Sequence, residues 1–421
     1  MKSSLPKGTI TAPPSKSYTH RALILGALTH SDFMLSNPLM SDDTKATLDA
    51  LYAFGTDFRS VSNGITVHCE QLRKATGVID ARNSGTTMRL VAGLAALLPS
   101  ETTLTGDGSL IRRPMGPLVD ALQRLGAAVT YLGKQGCPPL RVKGPITGAK
   151  VEIRGDISSQ FVSSLLIACS QKNGDTEINL KGTLTSKPYV GITLELLRLF
   201  GAVVDERAGS YKVKGNQRLK RESYTVPGDF SSAAFPLAAA AITGGDVTVK
   251  NLARNSPQGD RAIVDLLSNF GAEVTVKEDS IRVASDPSKL HGCELDVFDT
   301  PDLFPIATVV ASVAQGKTVI TGGRNLRQKE SDRISTTIGF LSSMGADVKA
   351  TDDGCIVNGV NHLHGAEIHT EGDHRIFMAA AVAGLVASSD TVIDERESFA
   401  VSYPGFLRDL HQLGCRVRVR R

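Results

Sequence analysis

Apolar residues recur at helical spacing in six places along the chain, and each run ends in glycine. Leu118, Leu122 and Leu125 lead into Gly126, and Ile263, Leu266, Leu267 and Phe270 lead into Gly271. The same ending stands at Phe54-Gly55, Phe200-Gly201, Met344-Gly345 and Leu413-Gly414. Glycine just past an amphipathic run is a helix stop, because it accepts the left-handed conformation in which helices commonly end. The stops repeat every ~70 residues, which marks an internal repeat. Beyond each one the pattern predicts two short strands joined by a polar turn, for example 127–132 with 140–143 and 272–277 with 281–284.

A second helix opens each copy, with its start near Ser15, Ser84, Ser158, Ser231, Asp302 and Asp373. Apolar, alanine-rich runs follow at 22–28, 90–98, 161–169, 233–242, 304–314 and 377–387. Helices that are apolar on most faces belong inside a domain. Copies of ~70 residues are too large for a thin solenoid, whose repeats run about 20–45 residues. The expectation is an α/β protein of two globular domains with three copies each, crossing over near Val226-Pro227-Gly228.

Composition removes several function classes. The 421 residues are 41% hydrophobic and 21% charged, with no Trp and a formal net charge of +4. That small excess is spread along the chain, which argues against a nucleic-acid surface and suits small anionic ligands. The one basic cluster, Arg416-Val417-Arg418-Val419-Arg420-Arg421, alternates as a strand with a charged edge would. The six cysteines are scattered without metal-ligand spacing and read as reduced structural thiols. The start of the chain has no signal-peptide core, and the longest apolar run, 376–387, is short of the roughly 20 residues that span a bilayer. A cytoplasmic protein with no membrane partner is expected.

The chemistry gathers at the opening helices. Lys16, Ser17 and Arg21 stand at the first; Asn83, Ser84, Gly85, Thr86 and Arg89 at the second; Ser158, Ser159 and Gln160 at the third. Asp229, Ser231 and Ser232, then Asp302, then Asp373, His374 and Arg375 complete the set. Helix starts carry free N–H groups and about half a positive charge, so they hold phosphate and carboxylate groups well. The hydroxyls and acids by themselves are ordinary N-caps. Lys16, Arg21, Arg89 and Arg375 are not, because a cation at a helix start needs a compensating anion, for which a bound polyanion is the natural candidate. Two more basic segments are Ile111-Arg112-Arg113-Pro114-Met115 and Asn325-Leu326-Arg327-Gln328-Lys329-Glu330-Ser331-Asp332-Arg333. A helix beginning near Lys329 would set Glu330 and Arg333 on neighbouring turns, as a proton carrier beside a fixed cation or as an exposed ion pair. P-loop, dinucleotide-binding, zinc-protease and nucleophile-elbow motifs are absent from the sequence.

These segments resemble one family over essentially the whole chain, the 5-enolpyruvylshikimate-3-phosphate synthases. The resemblance rests on Pro14-Ser15-Lys16-Ser17-Tyr18-Thr19-His20-Arg21, Asn83-Ser84-Gly85-Thr86-Thr87-Met88-Arg89, Arg113-Pro114, Ser158-Ser159-Gln160-Phe161, Ser186-Lys187-Pro188-Tyr189, Pro301-Asp302, Lys329-Glu330-Ser331-Asp332-Arg333 and Asp373-His374-Arg375. It implies the two-domain, inverse α/β barrel-like enolpyruvyl transferase fold, with three βαβαββ copies per domain and opening helices directed toward a cleft that closes on substrate. The implied domains are 13–227, mainly on the shikimate 3-phosphate side, and 1–12 with 228–421, bearing the catalytic acids and phosphoenolpyruvate cations.

The implied activity moves the enolpyruvyl group of phosphoenolpyruvate to the 5-hydroxyl of shikimate 3-phosphate and releases phosphate, in the pathway to chorismate and aromatic amino acids. Carried over by position, Lys16, Ser17, Arg21, Ser158, Ser159, Gln160, Ser186, Asp302 and Lys329, with Tyr189 and Asn325 as further candidates, resemble the shikimate 3-phosphate site. Lys16, Gly85, Arg113, Gln160, Arg333 and Arg375 resemble the phosphoenolpyruvate site. Asp302 is the expected base, sharing its relay with Lys329; Glu330 is the expected acid, with Lys16 as rival. Neither metal nor organic cofactor is expected, and the resemblance implies a monomer.

One position departs from the family. Many relatives have Lys three residues ahead of a proline in the last copy, where this chain has Val401 before Ser402-Tyr403-Pro404, with Arg396 nearby. Leu90 follows Arg89 where some relatives have Pro. The alternatives are a UDP-N-acetylglucosamine enolpyruvyl transferase, which has a reactive Cys in the loop matching residues 112–115, and a non-catalytic anion-binding repeat protein. The absence of Cys from 112–115 weighs against the first, and the acids among the cations weigh against the second.

Overall fold

In the computed structural model, which describes residues 1, 4–395 and 397–419, the chain forms two compact α/β units. One is Pro14–Val226 and the other joins Met1–Pro13 to Pro227–Arg421. The first contains helices α1 (Lys16–Ala27), α2 (Asp42–Ala53), α3 (Gly85–Ala95), α4 (Gly116–Arg124), α5 (Ser159–Gln171) and α6 (Lys187–Leu199). The second contains α7 (Phe230–Thr243), α8 (Ile263–Asn269), α9 (Phe304–Val313), α10 (Arg333–Ser343), α11 (His374–Ala383) and α12 (Phe406–Gln412).

The copy between residues 79 and 143 shows the plan of the repeat. Ile79–Asp80 runs parallel to Thr102–Thr105, which pairs antiparallel with Leu140–Lys143, itself antiparallel to Ala128–Tyr131. A parallel pair needs a crossover, and α3 supplies it. The spatial order is first, second, fourth, third, and five four-stranded sheets of described residues share it. In two copies the leading strand comes from a distant part of the chain. Ser223–Thr225, at the end of its unit, lies parallel to Phe33–Ser36. Lys7–Thr11 lies parallel to Asp246–Lys250 and so belongs to the unit of residues 227–421.

The opening helices form the interiors. α11 is buried along its whole length and α7 from Phe230 to Ile242, and α7, α9 and α11 pack on one another. The second helix of each copy is amphipathic: α4 buries Leu118, Val119, Ala121 and Leu122 and turns its polar residues outward. Each such leucine contributes roughly 1.5–3 kcal/mol on burial. All six helix-stop glycines have positive φ, between +85° and +106°.

Four expectations from the sequence are corrected here. The fourth opening helix is capped by Asp229, whose carboxylate accepts from the Ser232 N–H (2.8 Å), so Ser231 lies inside it. Asp302 sits in a 3-10 turn, Pro301–Leu303, just ahead of α9. The helix expected from Lys329 begins at Arg333, because Asp332 caps it by accepting from Ser335 N–H (3.2 Å), and Lys329 is extended. The C-terminal alternation gives no strand over residues 416–419: Arg416 N–H donates to Ser4 Oγ (2.9 Å) and no neighbouring ladder is formed by the described residues. Arg420 and Arg421 lie outside the described residues, as does Arg396.

Candidate active site

In the unit of residues 14–226, charged and hydroxyl side chains meet around the starts of α1, α3 and α5. Lys16, the first residue of α1, donates from Nζ to Asp43 Oδ2 at 2.9 Å, and both are largely buried. One turn on, Arg21 is 1% exposed, and among the described residues no carboxylate pairs with it. It donates to Thr193 Oγ1 (2.7 Å), Ser17 O (3.0 Å), Tyr189 O (3.2 Å) and Ser163 Oγ (3.3 Å). Burial lowers its pKa to about 10, which leaves it cationic at neutral pH. A buried guanidinium held only by neutral oxygens is well suited to an arriving phosphate or carboxylate.

At α5, Ser158 is the N-cap, with Ser159 and Gln160 following. Gln160 accepts from Arg89 Nη1 (2.5 Å) and donates to Thr86 Oγ1 (2.9 Å), so its amide is oriented from both ends. Arg113 donates to Asn83 Oδ1 (2.6 Å), Asn83 O (3.2 Å) and Ser109 Oγ (3.2 Å). Gly85 opens α3 between these two arginines. A Cβ there would come within 2.7 Å of Arg89 Nη1 and 3.3 Å of Arg113 Nη1, so only glycine leaves both in place. Ser186 precedes α6 in the left-handed region, φ 53°.

In the other unit the centre is Arg333, whose side chain is 2% exposed. It donates to Asp302 Oδ1 (2.8 Å), Glu330 Oε2 (2.6 Å) and Asp373 Oδ2 (2.7 Å). Arg375 Nη2 meets the other Asp302 oxygen at 2.7 Å. Asp373 also accepts from Ser331 Oγ (3.2 Å) and from the backbone N–H of Arg375 (2.9 Å), capping α11. The exposed ion pair considered for Glu330 and Arg333 is thus a buried network. Burial would raise the pKa of Asp302, but Arg375, Lys329 and Arg333 outweigh it and hold the carboxyl well below the usual carboxylate range. Burial likewise works against charge on Arg333, and Asp373, Glu330 and Asp302 more than offset it, so its pKa is raised. Asn325 stands in the 3-10 turn Arg324–Gln328 that precedes Lys329. Val401 ends another 3-10 turn, Ser398–Val401.

Sequence reasoning expected bound anions to balance the helix-start cations. Within the chain, Asp43 balances Lys16 and Asp302 balances Arg375. Neither Asp43 nor the grip of Asp373 on Arg333 had been singled out, since each contact joins residues far apart in sequence. Asp373 had a local signal in its place at a helix start; Asp43 had only its place in the first turn of α2.

Five βαβαββ copies and a sixth that shows two strands among the described residues, with cations, hydroxyls and acids at the helix starts, define an enolpyruvyl transferase fold. The EPSP synthase (3-phosphoshikimate 1-carboxyvinyltransferase) family model matches residues 2–410. A 3-phosphoshikimate 1-carboxyvinyltransferase of Methanocorpusculum labreanum is 46% identical over 98% of this chain and 97% of its own length. One of Methanothrix thermoacetophila is 45% identical with the same coverage. The EPSP synthase structure from Acinetobacter baumannii superposes with a TM-score of 0.83 at 29% identity, covering 100% of this chain and 98% of that one. The chain belongs to the EPSP synthase family. Among the described residues no helix is long and apolar enough to cross a membrane, and no group of three or more His, Cys, Asp or Glu could hold a metal ion.

Proposed function

We infer that Asp302, Glu330 and Lys16 carry the proton transfers of the family reaction. The chain is an enzyme that transfers the enolpyruvyl group of phosphoenolpyruvate to shikimate 3-phosphate, giving 5-enolpyruvylshikimate 3-phosphate and phosphate, on the route to chorismate and the aromatic amino acids. In our reading, Lys16, Ser17, Arg21, Ser158, Ser159, Gln160, Ser186, Tyr189, Asp302, Asn325 and Lys329 bind shikimate 3-phosphate. Lys16, Gly85, Arg113, Gln160, Arg333 and Arg375 bind phosphoenolpyruvate, their cations neutralising its phosphate and carboxylate.

The supporting observation is the grip of Arg333 on Asp302, Glu330 and Asp373. A carboxylate held by two guanidinium groups is ionised but weakly basic. When the anionic groups of phosphoenolpyruvate take up part of the charge on Arg333 and Arg375, the basicity of Asp302 rises toward that of an ordinary carboxylate. It then accepts the 5-hydroxyl proton as that oxygen attacks the enol carbon, with Lys329 beside it. Glu330 delivers a proton to the methylene carbon, Lys16 being the rival donor, and the cations stabilise the tetrahedral intermediate and departing phosphate. The six cysteines are free thiols, five of them buried, which fits a reducing cytoplasm. We take the working species to be a monomer.

Phosphate release from phosphoenolpyruvate, measured with shikimate 3-phosphate or UDP-N-acetylglucosamine as acceptor, tests the reading. Release is expected only with the shikimate compound. Asp302→Asn and Glu330→Gln should each lower kcat by about 10²-fold or more while ligands still bind; unchanged turnover would remove that acid from the mechanism.

A further inference from the structure

We propose that His20 is a positioning residue for Lys16, acting through a buried relay of hydroxyl groups that joins α1, α2 and α3; the proposal rests on the reading of Lys16 as a substrate contact. His20 Nδ1 lies 2.7 Å from Thr47 Oγ1, and Thr47 Oγ1 lies 2.7 Å from Thr87 Oγ1. Thr87 meets the Ser84 hydroxyl at 2.8 Å through its own hydroxyl and at 3.1 Å through its N–H. All four residues are fully buried. The relay thus begins one turn after Lys16 and ends at the residue that caps α3, next to Gly85.

The direction of the bonds follows from the charge state of the imidazole. Burial, and then the charges of Lys16 and Arg21, hold the pKa of His20 well below its usual value, so the ring is neutral and carries one N–H. With that proton on Nδ1 the chain runs one way: His20 donates to Thr47, Thr47 to Thr87, and Thr87 to Ser84. Thr47 then gives one bond and takes one, while Thr87 takes one and gives its single proton chiefly to Ser84 at 2.8 Å, with the Asp43 carbonyl as a longer second acceptor at 3.3 Å. Nε2 meets no partner among the described residues, and the tautomer that leaves a bare lone pair there is preferred to one that buries an unmet N–H. This assignment comes from the hydrogen-bond network.

Lys16 is coupled to the relay from both sides. His20 lies four residues after Lys16 on α1 and therefore on the same helix face. The partner of Lys16, Asp43, lies four residues ahead of Thr47 on α2, and its backbone carbonyl is 3.3 Å from Thr87 Oγ1. The 2.9 Å Lys16–Asp43 pair therefore spans two helix turns whose separation the relay fixes. Without the relay the first turns of α1 and α2 lose their common reference to α3, and Lys16 Nζ loses its set position relative to Gly85.

Steady-state kinetics and melting of the full chain test this with His20→Leu, His20→Asn, Thr47→Val, the double variant His20→Leu/Thr47→Val, and Lys16→Met. His20→Leu and Thr47→Val should each lower kcat about tenfold, with KM for shikimate 3-phosphate changed less than about threefold. His20→Asn, whose amide N–H can reach Thr47, should recover to within about threefold of the parent. The double variant should be no worse than the worse single, as members of one relay require. Thr47→Val keeps the side-chain shape and carries the test if His20→Leu does not fold. Unchanged kcat in both singles, equal impairment by Leu and Asn at position 20, or multiplied losses in the double variant would each overturn the relay. Full turnover by Lys16→Met would instead overturn the role of Lys16 on which the proposal stands.

Discussion

At Asp302 both carboxylate oxygens are engaged by guanidinium groups, so the residue contributes to stability as well as to the proposed chemistry. Its pKa in the folded chain is held below the unfolded value, so the contribution is complete above that value, about pH 4, and fades as pH falls through the folded pKa. Asp302→Asn should therefore lower the urea midpoint by the same amount at pH ~7 and pH ~5, and by less at pH ~3.5. A gap that widened on acidification would contradict the charge pairing described. Asp302, Glu330, Arg333 and Arg375 were legible in the sequence because each lies in a short segment that could be matched by position. Their mutual geometry was not: Arg333 and Asp373 are forty residues apart, and no local spacing announces a contact over that separation.

Helix ends were more legible than helix starts. The six stop glycines were found from a shared pattern, and their conformation supplies its cause, since left-handed φ is easy only for glycine. Two substitutions separate backbone strain from crowding. A Cβ at Gly201 meets nothing within 4 Å, so Gly201→Ala should cost about 1 kcal/mol from φ alone. A Cβ at Gly271 would lie 2.7 Å from Lys289 O and 2.8 Å from His291 Nδ1, so Gly271→Ala should cost more, about 2–4 kcal/mol. Chemical denaturation of the pair measures the difference, and equal losses would mean that the neighbours at Gly271 yield freely. Starts depend on which polar side chain bends back to a free N–H. Asp332 rather than Lys329, and Asp229 rather than Ser231, take that role, and residue type alone did not separate these candidates.

At the scale of the whole molecule, the repeat and its count could be read from the glycines, but the lending of strands could not. Ser223–Thr225 has three residues and Lys7–Thr11 has five, and nothing in so short a run names its partner. The pairings predict different behaviour for the two halves. Residues 14–226 hold all the strands of their three four-stranded sheets and should fold cooperatively when expressed alone. Residues 227–421 alone lack the strand that covers Asp246–Lys250 and should stay soluble and folded only when residues 1–13 are supplied, as a peptide or fused through a linker. Calorimetry of the fragments checks this, and independent folding of 227–421 would show that the first strand is dispensable. The same pairing sets an order of events during synthesis. Residues 7–11 are made about 235 residues before the strand they join, a wait of roughly 12–50 s at ordinary elongation rates. The intervening stretch holds all the strands of its own sheets and can complete them in that time, so the nascent chain carries an unclaimed strand ahead of a finished domain, a natural client for a ribosome-associated chaperone.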